Sequence, residues 1–248
     1  EAVRDGRLDE LERHLHHGVP VDHPDKNGRT GLYLAASAGQ RPVVDFFLEH
    51  GARPEAKTTQ GDSPLTAAAR AGHGHLVRLL VERGAAIDTP DPEGGRALLY
   101  AVHFEDDKLV DWLLQRGAKA SLANGKQETP LHAAAQRGRT DIMKRLMTQG
   151  AGLDAKDAKG ESPLLRAVKA GKTVAVRLLL EKGADANAAD LEGMTSLHWA
   201  PRKEIASLLL AHGADIKARN KKGWSPLRSA DYLQHKGVVE LLRRKGAK

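Results

Sequence analysis

Four short stretches hold residues able to do chemistry. "HLHHG" at 14–18, with His23 close behind, offers enough imidazoles for zinc, which needs three. "GHGH" at 72–75 adds two more histidines. "AGKT" at 170–173 has the ending of a phosphate-binding loop, and "EDDK" at 105–108 clusters carboxylates of the kind that hold a divalent cation. None has the spacing its chemistry requires. A phosphate loop needs a glycine five residues before Gly171, and position 166 is arginine. Leu15 fits a buried helical position, and His14 and His17, three residues apart, fit the solvated face around it. The sequence has no nucleophile elbow, no His-Glu-x-x-His and no catalytic acid pair. It also has no cysteine, which removes disulfides, thiolate catalysis and cysteine-ligated zinc together. The residues predict no catalytic site, no cofactor and no metal.

The elements that would position any functional side chain are marked by periodicity. Leu32, Leu65, Leu98, Leu131, Leu164 and Leu197 recur every 33 residues, and Leu227 follows after 30. Gly18, Gly51, Gly84, Gly117, Gly150 and Gly183 keep the same interval, followed by Gly213 and Gly246. Two combs with one period predict a stacked array of repeats. Each repeat opens with a turn such as Asn27-Gly28 or Lys222-Gly223. Ser63-Pro64, Thr129-Pro130, Ser162-Pro163 and Ser225-Pro226 then read as a hydroxyl cap and a first-turn proline, which start a helix. That helix is short and carries small residues such as Ala67, Ala68 and Ala69; a glycine (Gly39, Gly72, Gly138, Gly171) ends it. The second helix has larger apolar residues, as in Val176, Leu178, Leu179 and Leu180. Gly171 and Glu105 fall on the turn-glycine comb, so "AGKT" and "EDDK" read as turns.

"TPLHAAAQRG" at 129–138 and "LLLEKGADANAAD" at 178–190 make the chain resemble the ankyrin-repeat family, over its whole length. The resemblance implies an all-α solenoid of about eight stacked helix-turn-helix units with hairpin-like loops, forming a single domain over 1–248. The units run approximately 1–24, 25–57, 58–90, 91–123, 124–156, 157–189, 190–219 and 220–248. It also implies a non-enzymatic protein-protein interaction scaffold that binds a partner through its concave face and loop tips. His132 and His198 take the histidine position of the family's TPLH motif, where the ring joins neighbouring repeats. Trp112, spaced with Leu109, Val110 and Leu113, is expected in the core. Trp199, in "LHWA", is expected to pack.

Function is expected where the copies differ. The loop tips and first helices present Phe104, Arg137, Lys159, Lys169, Leu191, Met194, Arg202, Lys221, Lys222, Trp224 and Tyr232 as candidate partner-binding residues. Apolar side chains beside cations are typical protein-binding anchors. Sealing the end of the stack is the alternative role for Trp224 and Tyr232. The loop-tip set also includes Asp62 and Glu161. The seventh repeat is three residues short, and Pro201 is expected to interrupt its first helix and bend or open the stack. Glu1 is expected near the start of a helix and "RRKGAK" at a repeat boundary, so the chain reads as a piece of a longer one. Asp9, Glu10 and Glu12 suit a solvent-facing cap.

Charge narrows the partner. Residues 1–123 hold 15 Lys and Arg against 19 Asp and Glu, a net of −4; residues 124–248 hold 24 against 13, a net of +11, together the stated +7. The basic half predicts a partner protein with an acidic surface. Two other readings remain open: a regulatory or inhibitory (immunity-type) module acting on an enzyme or toxin, and weak anion or nucleic-acid binding by the basic half, without sequence specificity. The composition is that of a soluble globular chain, and no apolar run approaches the ~18 residues needed to cross a bilayer. A monomer is expected. The cytoplasm is slightly favoured, with export left open.

Overall fold

The structure, a computed structural model, describes residues 2–247. The chain forms two compact bodies, Glu1–Lys119 and Ala120–Lys248. The N-terminal body contains α1 (Ala2–Asp5), α2 (Leu8–His16), α3 (Gly31–Ser37), α4 (Arg41–Glu49), α5 (Pro64–Arg70), α6 (Gly74–Glu82), α7 (Ala97–His103) and α8 (Asp107–Gln115). The C-terminal body contains α9 (Pro130–Arg137), α10 (Thr140–Thr148), α11 (Pro163–Lys169), α12 (Thr173–Glu181), α13 (Ser196–Trp199), α14 (Lys203–Ala211), α15 (Pro226–Tyr232) and α16 (Lys236–Arg244). Regular strands are absent among the described residues, where the extended structure is an isolated antiparallel bridge between Ala189 and Thr195. Glu1, expected near the start of a helix, lies outside the described residues.

First helices stack on first helices: α1, α3, α5 and α7 in one body, α9, α11, α13 and α15 in the other. The comb leucines Leu32, Leu65, Leu98, Leu131, Leu164 and Leu197 are buried, whereas Leu227 is half-buried. Each fully buried leucine side chain stabilises the fold by about 1.5–3 kcal/mol relative to exposure. The caps form as their sequence implies: Ser63, Thr129, Ser162 and Ser225 accept from backbone N–H groups three residues on, at 3.2, 3.4, 3.2 and 3.3 Å. Glu105 stands where other repeats have glycine and adopts φ 59°. Its neighbour Asp106 caps α8 by accepting from the Leu109 N–H at 2.9 Å. "EDDK" is thus a turn and a helix cap.

Several expectations need correction. The three missing residues do not open the stack at Pro201. They shorten the first helix to the single turn of α13, which still packs on α11 and on α15. Ala200 leaves the helix at φ −55°, ψ 114°, the extended conformation favoured before proline. Leu15 is half-buried while Leu11 takes the core position. Trp112 is also half-buried, with Arg78 and Arg116 lying 5.6 and 4.8 Å from its ring centroid. A flat ring with a negative face accepts cations without leaving the helix surface.

His132 and His198 connect repeats. The Thr129 N–H donates to His132 Nδ1 at 3.2 Å, which leaves Nε2–H to donate to the Glu161 carbonyl at 3.0 Å. His198 repeats the arrangement with the Thr195 N–H (3.1 Å) and the Trp224 carbonyl (3.0 Å). Burial holds both rings below the usual histidine value, against the raising effect of those carbonyls. A depressed histidine keeps the folded state neutral, so its contribution is complete above about pH 6.5 and declines as pH falls below it. Urea unfolding at pH 7.5 and at pH 5.5 is expected to show lower stability at the acid value, by up to about 1.4 kcal/mol per pH unit and per ring. Equal stability at both pH values would refute the neutral assignment.

Candidate functional site

In the C-terminal body the hairpin-like loops are built on one rule. Asp157, Asp190 and Asn220, at the comb interval, each use one side-chain oxygen to accept two backbone N–H groups. Asp157 takes those of Lys159 and Glu161 at 2.8 and 2.9 Å. Asp190 takes those of Glu192 and Met194 at 3.0 and 2.8 Å. Asn220 takes those of Lys222 and Trp224, both at 2.9 Å. The tips are then bonded to one another: Leu191 N–H donates to the Lys159 carbonyl at 3.0 Å, and Lys221 N–H to that of Glu192 at 2.9 Å. Gly160 makes the approach feasible. Its φ is 73°, and a Cβ there would come within 2.9 Å of the Leu191 nitrogen.

Between these tips and the first helices lies a cleft of about 860 Å³. Its lining combines an apolar floor (Leu191, Met194, Trp199, Trp224, Tyr232) with the cations Lys159, Lys169, Lys221 and Lys222. Trp224 is held at both ends of its peptide, by Asn220 on the N–H and by His198 on the carbonyl. Its ring meets Tyr232 edge-on at 5.2 Å, with the Arg228 guanidinium 4.7 Å from its centroid. Leu191 is 56% exposed and Tyr232 72%, unusual for large apolar side chains.

Lys169 has a different role from the rim lysines. Its Nζ bonds Glu161 Oε1 at 2.6 Å, stands 3.8 Å from Asp190 and lies 4.1 Å above the Trp199 ring. It neutralises buried carboxylates and holds Trp199 in the cleft wall. Arg166 completes the network, 2.5 Å from Asp157 and 2.6 Å from Glu161. Burial raises the Asp157 carboxyl pKa, but Arg166 and the two N–H donors outweigh it and hold the pKa below its usual range. In the N-terminal body Arg70 bridges Asp62 and Asp91 in the equivalent way. There burial, reinforced by the Asp91 carboxylate, raises the Tyr100 phenol above its usual range.

The cleft brings together Lys159, Lys169, Leu191, Met194, Lys221, Lys222, Trp224 and Tyr232, and it leaves out three expected residues. Arg202 is not on a first helix. It stands at the N-cap position of α14, in the turn after Pro201, with its guanidinium over Gly171. Arg137, at the end of α9, is half-buried and not part of the lining. Phe104 belongs to the other body, 54% exposed at the turn after α7, over Gly72. Met194 is half-buried, its sulfur accepting from Asn220 Nδ2 at 2.9 Å. Asp62 and Glu161 are buried ion-pair partners and not exposed tips. Trp199 was expected only to pack, yet it lines the cleft. The signal that finds it is registration of the repeats: Trp199 shares a comb position with Tyr100 and Arg166, whose side chains reach the loop carboxylates of their own repeats.

Among the described residues no three metal-ligating side chains converge, and no helix is long and apolar enough to cross a membrane. Family models described as "Ankyrin repeats (3 copies)" match residues 1–91, 43–124 and 98–190, and one described as "Ankyrin repeat" matches 192–221. Among solved structures, the human ASB11 ankyrin repeat domain is similar, with TM-score 0.75 and 28% identity over 89% of this chain and 99% of that one. No curated protein matches. Repeats of this type generally serve as protein-protein interaction modules, and the fold is typically a non-enzymatic scaffold. With sixteen helices in stacked pairs among the described residues, hairpin-like loops tied tip to tip and family matches spanning nearly every repeat, the chain belongs to the ankyrin-repeat family.

Proposed function

We propose that this chain is a non-enzymatic scaffold that captures an acidic surface of a partner protein in the cleft of its C-terminal body. The observation that carries this reading is the cleft's composition: exposed apolar side chains ringed by Lys159, Lys221 and Lys222. Rim cations steer encounter, while the half-buried Trp224 supplies the anchor. The loops are already hydrogen-bonded, so docking orders little backbone and loses little entropy.

Affinity capture with mass spectrometry, followed by surface plasmon resonance on the purified partner, tests the reading. Lys221→Glu with Lys222→Glu is expected to slow association, more strongly at low salt, with a smaller change in dissociation. Association rates that ignore both the substitutions and the salt would overturn the electrostatic part of the proposal. Duplex DNA is expected to bind only weakly, and its binding to collapse between about 50 and 200 mM salt as counterion release is lost. Nanomolar, sequence-selective DNA binding at physiological salt would replace a protein partner with a nucleic acid.

A further inference from the structure

We propose that the cleft reads a linear segment of its partner in a fixed register: an acidic residue, an apolar residue three positions later, and a second acidic residue three positions after that. This rests on the protein-binding reading above and specifies its ligand. The argument comes from the spacing of the repeats. Successive first helices α11, α13 and α15 pack directly on one another, and packed helices sit about 8–10 Å apart. An extended chain advances about 3.3 Å per residue. One repeat therefore matches about three residues of a strand-like ligand laid across the tips.

The chemistry alternates along that line. The first tip presents Lys159, the next Leu191 and the last Lys221 and Lys222. The apolar floor beside these tips is shared by Met194 and Trp199 of the middle repeat and Trp224 and Tyr232 of the last. A carboxylate over Lys159, an apolar side chain in the floor and a carboxylate over Lys222 satisfy all three positions at once. The cleft's own acids do not oppose this uniformly. Glu161 and Asp190 are buried and neutralised by Lys169 and Arg166. Glu192 is exposed at the middle tip, where it disfavours a third carboxylate beside the apolar residue. The register is thus selected for at its ends and against at its centre. The tip-to-tip bonds at 3.0 and 2.9 Å keep the spacing from adjusting to other arrangements.

The test uses the full chain and three dye-labelled nine-residue peptides of identical composition, measured by fluorescence anisotropy at 0.15 M salt. One peptide has the acid-x-x-Leu-x-x-acid order, one has the acids adjacent to the leucine, and one has both acids at one end. The expected result is at least tenfold tighter binding of the first. Lys159→Gln with Lys222→Gln should erase most of that preference, and Trp224→Ala should weaken all three. Equal affinity of the three peptides, with Trp224→Ala still weakening them, overturns the register and leaves the cleft as a protein site. Equal affinity insensitive to Trp224→Ala overturns both. A preference that survives the double lysine substitution also overturns the register, because the lysines would not be its readers. Tighter, Trp224-dependent binding of a single-stranded oligonucleotide than of any peptide would assign the cleft to nucleic acid instead.

Discussion

Asp157→Ala is expected to lower the unfolding free energy by about 3–5 kcal/mol, the cost of breaking a buried charge network from one side. Only 1% of its side chain is exposed. One oxygen ties down the loop through two N–H groups and the other holds Arg166. Alanine removes both supports and leaves a guanidinium, itself 21% exposed, with Glu161 as its remaining carboxylate. Asp157→Asn should cost distinctly less. Asn124 and Asn220 perform the same loop bonding in their own repeats, so asparagine keeps the turn but sets an amide N–H donor against Arg166 in place of the accepting oxygen. The pH dependence follows from the depressed carboxyl. Its contribution is complete above the unfolded value near 3.8 and disappears as pH falls through the lower folded value. Urea unfolding of the three proteins at pH 7 measures the order; a loss below about 1 kcal/mol for alanine, the size of an ordinary neutral hydrogen bond, would refute the network's importance.

Trp224→Ala is expected to weaken partner binding by about 2 kcal/mol or more, the scale of an interface hot spot. The indole is half-buried, with its backbone clamped by Asn220 and His198 and its ring held between Tyr232 and Arg228. A rigid aromatic anchor of this kind gives contact area at small entropic cost. The control is thermal unfolding of the same variant. If binding and folding fall together, Trp224 seals the end of the stack and is not a recognition residue. If affinity for a verified partner is unchanged, the site lies elsewhere, and exposed Phe104 in the N-terminal body is the next position to substitute.

Much of this architecture was legible in the one-dimensional pattern, because a stacked repeat must write its packing constraints once per copy. The leucine comb marked the buried seam, the Ser/Thr-Pro steps marked helix starts, and the turn glycines marked positive φ. These are local requirements of chain and cap, so they survive without coordinates. The tertiary structure decided which variable residues meet. Lys159, Leu191 and Lys222 are far apart in sequence and become neighbours only because consecutive loops bond tip to tip. Lys169 was a candidate partner-binding cation, but stacking places it between two buried carboxylates and over the Trp199 ring, where neutralisation governs its role. Arg202 looked like part of the inner face until the shortened α13 moved it into a turn over Gly171. Periodicity reports what each repeat shares with the next. Which side chains share a cleft depends on the stagger between repeats, and that is set by helix packing and by bonds between loops that no single repeat encodes.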